Sequence, residues 1–344
     1  MANNDWREYQ FIQGAVFNNE TITSFGNIEN ELKCTQNENI ICDLSHLGLL
    51  EISGEDAVTF LQGQVTNDVK SLNGTNAHYS GYCSPKGRLL ALFFAFTHQQ
   101  KICLQINHKL IEPIAKRLKM YIMRSKVSLN NVSDDIVKIG LSGNHIIELL
   151  TPFFTQIPAQ AYESFSNENA TLIRLAGNTP RFEVLCDTEN AKLIWQALKA
   201  QCKPVGSACW EWLEIQAGVP DIYLQTQEEF VPQMVNLDLL NAINFKKGCY
   251  TGQEIVARTH YLGKVKRRTH LAHLNTSTPP QAGNDVLNAN NEAVGKIVRS
   301  SASPNGGYDV LAEIRLESVE TGNLSVNGTQ LGFKQLPYTL NATE

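Results

Sequence analysis

The sequence predicts an α+β chain: two mixed domains followed by a small β-barrel. Three observations carry that expectation. At 344 residues the chain exceeds what one hydrophobic core organises, so two or three domains are expected. Strand-like runs and amphipathic helices follow one another without the regular βαβ alternation of a doubly wound sheet. After about Leu262 helical periodicity vanishes, and short runs broken by Gly and Asn replace it. The expected units are 1–135, 136–262 and 263–344, the first two interleaved.

The elements follow in order. Residues 1–40 hold few apolar positions and many Asn, which predicts an irregular start with a short strand or helix near 11–17. Residues 40–52 predict a strand pair around Asp43-Leu44-Ser45-His46. Ser53 is placed to cap a helix reaching about Gln62, with Glu55 and Asp56 where the helix dipole favours acids and with Val58 and Leu61 on one face. Residues 79–83, 89–96 and 101–106 read as strands; in the last, Ile102, Leu104 and Ile106 alternate along one face. Pro113 suits the first turn of a helix that Leu110, Ile114, Leu118 and Tyr121 continue at 3.6-residue spacing. Residues 136–141 and 181–186 are further strands. Thr188 is expected to cap a helix through Gln201, with Leu193, Ala197 and Leu198 on its apolar stripe. Ser207 is expected to cap another, stopped by Gly218 and Pro220. Leu271 and His273, then 294–298, then Val310, Ala312, Ile314 and Leu316 predict the barrel strands.

Composition narrows the function. A net charge of −5 and a pI near 5.9 argue against a dedicated nucleic-acid surface. The one basic cluster, Lys264-Val265-Lys266-Arg267-Arg268, reads as the solvated face of a strand. The polar start contains Asp5 and Glu8, unlike a signal peptide, and the longest apolar run, 89–96, is far too short to span a membrane. A cytoplasmic protein with no membrane partner is expected. The eight cysteines contain no C-x-x-C pair, which argues against zinc ribbons, redox pairs and cluster ligation. The histidines show no ligand spacing, so no metal site is expected.

The densest signal is Lys247-Gly248-Cys249-Tyr250-Thr251-Gly252-Gln253-Glu254. Two glycines in such a string suit a backbone that turns with positive φ or lets another group come close. An exposed thiol beside Lys246 and Lys247 would gain thiolate character from the nearby ammonium groups. Cys249 is thus expected to be reactive, with Lys247 its electrostatic neighbour. The plainer alternative is a tight turn around a buried, inert cysteine.

K-G-C-Y-x-G-Q-E resembles the signature of the YgfZ family, folate-binding proteins related to the T-protein (aminomethyltransferase) of the glycine cleavage system. Other stretches extend the likeness. Residues 61–69 (LQGQVTNDV) resemble Q-G-Q-V-T-x-D-V, and 82–88 (YCSPKGR) resemble x-C-x-x-K-G-[KR]. Residues 210–220 resemble W-L-x-x-x-I-E-A-G-x-P, and 254–258 continue the octet as E-x-V-A-R. The likeness covers roughly residues 40–335. It implies a T-protein-like ring of three domains around a channel that receives tetrahydrofolate or another reduced folate, with the β-barrel at the C-terminus.

The same resemblance suggests site residues. Trp210 would wall the folate channel, with Glu214 on the same helix face; the alternative is an ordinary core aromatic. Leu47 stands where the family often has a second Trp, which removes one stacking wall. Gln216 replaces the family's Glu before Ala-Gly; an amide still hydrogen-bonds a pterin edge but offers no negative charge. The guanidinium fork of Arg258 suits the glutamate carboxylates of a folate.

T-protein catalysis relies on an aspartate pair just after a glycine turn. Here those places hold Leu90 and Ala91, which neither transfer protons nor stabilise positive charge. Aminomethyl transfer is therefore not expected. A cysteine hydrolase using His260 or His46 as base has no support in their spacing. The resemblance implies a folate-dependent accessory factor, not a classical enzyme. Its clients would be iron–sulfur enzymes, including tRNA methylthiotransferases, with an indirect link to tRNA. Two alternatives stay open: a tetrahydrofolate-dependent one-carbon transferase on an unknown acceptor, and a non-enzymatic interaction scaffold.

Overall fold

The first forty residues are more regular than their composition predicts. In a computed structural model, which describes residues 2–261 and 263–340, they form α1 (Ala2–Ile12), the hairpin β1 (Val16–Asn18) and β2 (Thr21–Ser24), and α2 (Ile28–Asn37). One buried side chain accounts for much of this. Trp6 meets Trp195 edge to face at 5.7 Å and donates its indole N–H to Asp43. A polar helix is thereby pinned by one aromatic anchor, a pattern that periodicity does not register.

The strands β3 (Ile40–Asp43) and β4 (Leu47–Ser53) follow, then α3 (Ala57–Gln62), β5 (Ala77–Cys83), β6 (Leu89–His98), β7 (Lys101–Asn107), α4 (Ile111–Ile122) and β8 (Ser128–Asn131). Next come β9 (Val137–Ser142), α5 (Ile146–Leu150), β10 (Ser164–Ser166), β11 (Ala170–Leu175), β12 (Arg181–Cys186), α6 (Thr188–Leu198), β13 (Lys203–Val205) and α7 (Ser207–Gln216). A long irregular stretch leads to α8 (Gln253–Tyr261), and the chain closes with β14 (Arg267–Leu274), β15 (Asp285–Leu287), β16 (Ala293–Ala302), β17 (Tyr308–Arg315), α9 (Leu316–Thr321), β18 (Ser325–Val326) and β19 (Thr329–Lys334).

One five-stranded sheet has the order β5-β6-β7-β4-β8; a six-stranded sheet has the order β10-β11-β12-β9-β3-β13. The early strand β3 thus lies among later ones, antiparallel to β9 and parallel to β13. The last six strands close into a barrel, β14-β17-β16-β15-β18-β19, with its own apolar interior of Val286, Ile297, Val310 and Ile314 among others. The α+β class and the C-terminal barrel therefore stand as expected.

Several local details differ from the sequence reading. Helix α3 begins after Asp56, α6 is capped by the Asp187 side chain bonding Asn190 N–H at 2.8 Å, and α7 begins after Gly206. Leu193, expected on a buried stripe, is 66% exposed. Arg268 is not solvated: it is buried and donates to both oxygens of Asp238 at 2.6 and 2.8 Å. Strands β10 and β11 lie in a segment for which no strand was expected. No helix is long and apolar enough to cross a membrane, among the described residues.

Candidate functional site

Helix α7 lies where both sheets and the barrel converge. Its Trp210 and Glu214 are four residues apart and share a face. The indole lies over Gly140 of β9, where a Cβ would come within 2.6 Å of the ring. Only a glycine lets the helix sit this close to the strand. The guanidinium of Arg181 stands 5.3 Å from the Trp210 ring centre and pairs with Glu214 at 3.1 Å.

Beside this helix lies a small cavity with about 50 Å³ of free space. Leu47, Tyr79, Leu92, Phe94 and Trp210 supply its apolar lining. Leu90 and Ala91 are buried on β6, and that strand carries no carboxylate. The acids come from elsewhere. Glu183 of β12, Glu214 of α7 and Asp221 all line the cavity.

Strand β7 holds two of them. Gln105 donates to Glu183 Oε2 at 3.2 Å, and Asn107 donates to Asp221 Oδ2 at 3.0 Å. Residues 105 and 107 lie on the same face of the strand. The remaining oxygens, Glu183 Oε1 and Gln105 Oε1, are buried without a hydrogen-bond partner among the described residues. Burial pushes the Glu183 carboxyl up to about 7, against the hydrogen bond from Gln105 and the charge of Lys138. Burial likewise raises Asp221 to about 6, opposed by Arg299 and Asn107. Buried acceptors without partners are costly, so this end of the cavity is built to receive donors.

The barrel completes the site. Arg299 of β16 lines the cavity and grips Glu211 Oε2 through Nε at 2.9 Å and Nη2 at 2.8 Å. Burial alone would raise the Glu211 carboxyl, but the Arg299 charge and nearby His46 together hold it well below the usual carboxylate range. One turn along α7, Trp212 and Gln216 both donate to Asp309 of β17, at 2.9 and 3.1 Å, while His273 and Lys334 take its other oxygen.

The expected site residues fall into separate places. Leu47 and Trp210 meet in the cavity. Gln216 faces a different hollow and is bonded to Asp309. Arg258 lies exposed on α8, paired with Glu254 at 3.2 Å. Lys247 is buried, its ammonium donating to the carbonyls of Val65 and Asn67 at 2.6 and 2.7 Å. Burial lowers its pKa to about 8, with Asp68 opposing. Cys249 is exposed, whereas the other seven cysteines are buried. Gly252 has φ +83, and a Cβ there would strike Ser84 O at 2.5 Å and Gly87 Cα at 2.9 Å. The turn of Lys86-Gly87-Arg88 therefore nests against the octet, which explains why both strings carry glycine. Gly248 has open space around it and no positive φ.

Sequence reasoning missed Gln105, Asn107, Glu183, Asp221 and Arg299. One signal existed. Glu183 sits in the strand Arg-Phe-Glu-Val-Leu-Cys between two apolar residues, and an acid inside a strand buried on both faces needs a partner or a ligand. Among the described residues, no group of three His, Cys, Asp or Glu is placed to hold a metal ion.

The model of the GCVT N-terminal domain matches residues 6–247. The aminomethyltransferase T of the glycine cleavage system from Bartonella henselae has the same fold, with a TM-score of 0.79 at 16% identity over 97% of this chain and 96% of that one. The chain therefore belongs to the class of proteins that carry a GCVT N-terminal domain. The tRNA-modifying protein YgfZ of Yersinia pestis (strain Pestoides F) is 31% identical over 306 residues, 87% of this chain and 92% of that protein. Its counterpart from Pectobacterium atrosepticum is 31% identical over 312 residues, 89% of this chain and 93% of that one. The chain belongs to the YgfZ family.

Proposed function

We propose that this protein is a cytoplasmic, reduced-folate-binding accessory factor that supports iron–sulfur enzymes, among them those that methylthiolate tRNA. The observation that carries the folate part is the pair of unpartnered acceptors, Glu183 Oε1 and Gln105 Oε1, inside an aromatic-walled cavity. A pterin is flat and presents an amino group and a ring N–H along one edge. Those donors suit the two acceptors, and the flat ring suits walls made by Trp210, Tyr79 and Phe94. A bound reduced folate would supply a one-carbon carrier or a reductant. The chain's own residues would bind it, orient it and exclude water from it.

The link to tRNA rests on the relatives, which are tRNA-modifying proteins by name. Leu90 and Ala91 argue against aminomethyl transfer, because β6 offers no group for the protons of that reaction. Cys249 would then be the reactive thiol of the surface, exposed on a loop. Arg258, paired with exposed Glu254, would offer its exposed guanidinium to carboxylates at the surface.

The test is a titration of the purified protein with tetrahydrofolate and its one-carbon forms under anaerobic conditions, followed by tryptophan fluorescence. Saturable quenching with a micromolar or tighter dissociation constant is expected. No saturable response at millimolar ligand would overturn the folate reading. The iron–sulfur part is tested separately, by the activity of a tRNA methylthiotransferase in cells lacking this protein.

A further inference from the structure

One helix end carries a run of cations that no part of the site uses. Residues 116–126 (KRLKMYIMRSK) hold five cations and no acid, in a chain whose net charge is −5. They form the second half of α4 and the loop after it. Ile111, Ile114, Ala115 and Leu118 are buried and fix the inner face of that helix, which packs against β4 and β8. Lys116, Lys119, Met120 and Met123 recur at i, i+3, i+4 and i+7, so they share the outward face. Among the described residues, Lys126 is paired with exposed Glu55 at 2.7 Å, and the other four cations of the run have no acid partner. On α4 itself, exposed Glu112 lies one turn before Lys116.

The apolar side chains among these cations are out of place in water. Met123 is 88% exposed and Met120 63%. Tyr121, which periodicity placed on the buried stripe, is 41% exposed. Met123 leaves the helix with φ +45, a conformation that residues with a side chain rarely adopt. The helix dipole favours a cation in the last turn, which accounts for Lys119. It accounts neither for the methionines nor for the cations beyond the helix end.

We propose that residues 116–126 form a docking surface for the anionic face of a lipid bilayer. A flat anionic surface meets both kinds of side chain at once. The cations stay at the headgroups, and the methionines pass between them to the acyl boundary. A polyanion such as RNA would engage the cations and leave the methionines in water. Clusters of about four to eight Lys and Arg on an amphipathic helix suit acidic lipids. Repulsion from the acidic remainder of the chain is screened beyond about 8 Å at physiological ionic strength. No helix among the described residues is long and apolar enough to cross a membrane, and contact of this kind needs none, being peripheral and reversible. None of these residues lines the cavity beside α7, so the proposal stands apart from the folate reading.

The experiment is co-sedimentation of the whole protein with two kinds of vesicle, one of phosphatidylcholine alone and one of equal parts phosphatidylcholine and phosphatidylglycerol. A titration with fluorescent transfer RNA runs beside it. The parent should bind the mixed vesicles at least about tenfold more than the neutral ones, and high salt should release it. Lys119→Glu with Arg124→Glu should cut that binding at least about tenfold. Met120→Ser with Met123→Ser should cut it at least about threefold, which a purely ionic contact would not show. All four side chains are exposed, so both double variants should keep the melting temperature of the parent. If either does not, Lys116→Glu or Met120→Ser alone should shift binding in the same direction. Equal binding to both vesicles, or to neither, overturns the proposal, as does mixed-vesicle binding that survives either folded variant unchanged. Transfer RNA binding that is lost with the charges and indifferent to the methionines, without vesicle binding, would assign the surface to nucleic acid instead.

Discussion

Glu183→Gln should move stability and ligand binding in opposite directions. The carboxyl is buried, and its pKa stands at about 7 against an ordinary value of 4.5. Between those values the native state keeps a proton that the unfolded chain has released, so stability falls as pH rises from about 4.5 to about 7. The fall has a ceiling of about 3 kcal/mol at pH 8, because each pKa unit corresponds to about 1.4 kcal/mol. A glutamine keeps the shape and a hydrogen bond to Gln105 without the charge. The variant should therefore match the parent near pH 4 and melt several degrees higher at pH 8. It should also lose affinity for tetrahydrofolate, since an amide is a weaker acceptor for donors than a carboxylate. In the parent, that affinity should weaken as pH falls below about 7, where Glu183 takes up its proton. Thermal melts from pH 4 to 8, paired with folate titrations, measure both effects. Melting curves of parent and variant that stay parallel across this range would refute the reasoning, because burial would then impose no charge penalty at this site.

Trp210→Ala should weaken tetrahydrofolate binding by about 1–3 kcal/mol, by analogy with aromatic stacking on nucleic-acid bases, and should lower the melting temperature because the indole is buried; an unchanged dissociation constant in folded variant would remove Trp210 from the site. Cys249→Ala should leave the melting temperature nearly unchanged, because the residue is exposed on a loop, yet abolish the fastest phase of alkylation by a thiol reagent and impair iron–sulfur client enzymes in cells. A large drop in melting temperature would mark Cys249 as packing instead. Asp309→Ala should cost about 1–3 kcal/mol, since it leaves the buried Trp212 indole N–H without its acceptor; denaturant unfolding of parent and variant checks it.

What was legible in the sequence was whatever repeats along the chain or carries unusual residues. The strands β5, β6, β7, β9 and β12 announced themselves by apolar runs, and the barrel by loss of helical period. The octet announced itself by glycine and cysteine in close order. The helix α1 did not, because a single Trp6 holds it and one anchor has no period. The cavity was legible at Leu47, Trp210 and Glu214. Its polar end unites β7, β12, the loop after α7 and a barrel strand, four segments far apart in sequence. Gln105, Asn107 and Asp221 are ordinary residues until the sheets bring them together. Lys247 shows the reverse difficulty: beside a cysteine in sequence it suggests a charge for the thiol, whereas its ammonium is spent on two carbonyls of the segment 65–67.

Arg299 and Asp309 make the barrel something other than an appendage. Both reach out of the last six strands to grasp α7, one at Glu211 and the other at Trp212 and Gln216. Cutting the chain near residue 263 would not free two working halves. The larger fragment would keep Glu211 beside His46 at 3.5 Å but without the Arg299 guanidinium that grips it, and a carboxylate deprived of its bidentate cation is a costly group to keep inside the fold. The smaller fragment would keep Asp309, with Lys334 and His273 but without the indole. The two pieces are related like an arch and its keystone, so the terminal unit cannot be trimmed, exchanged or displayed alone without dismantling the chamber that it closes.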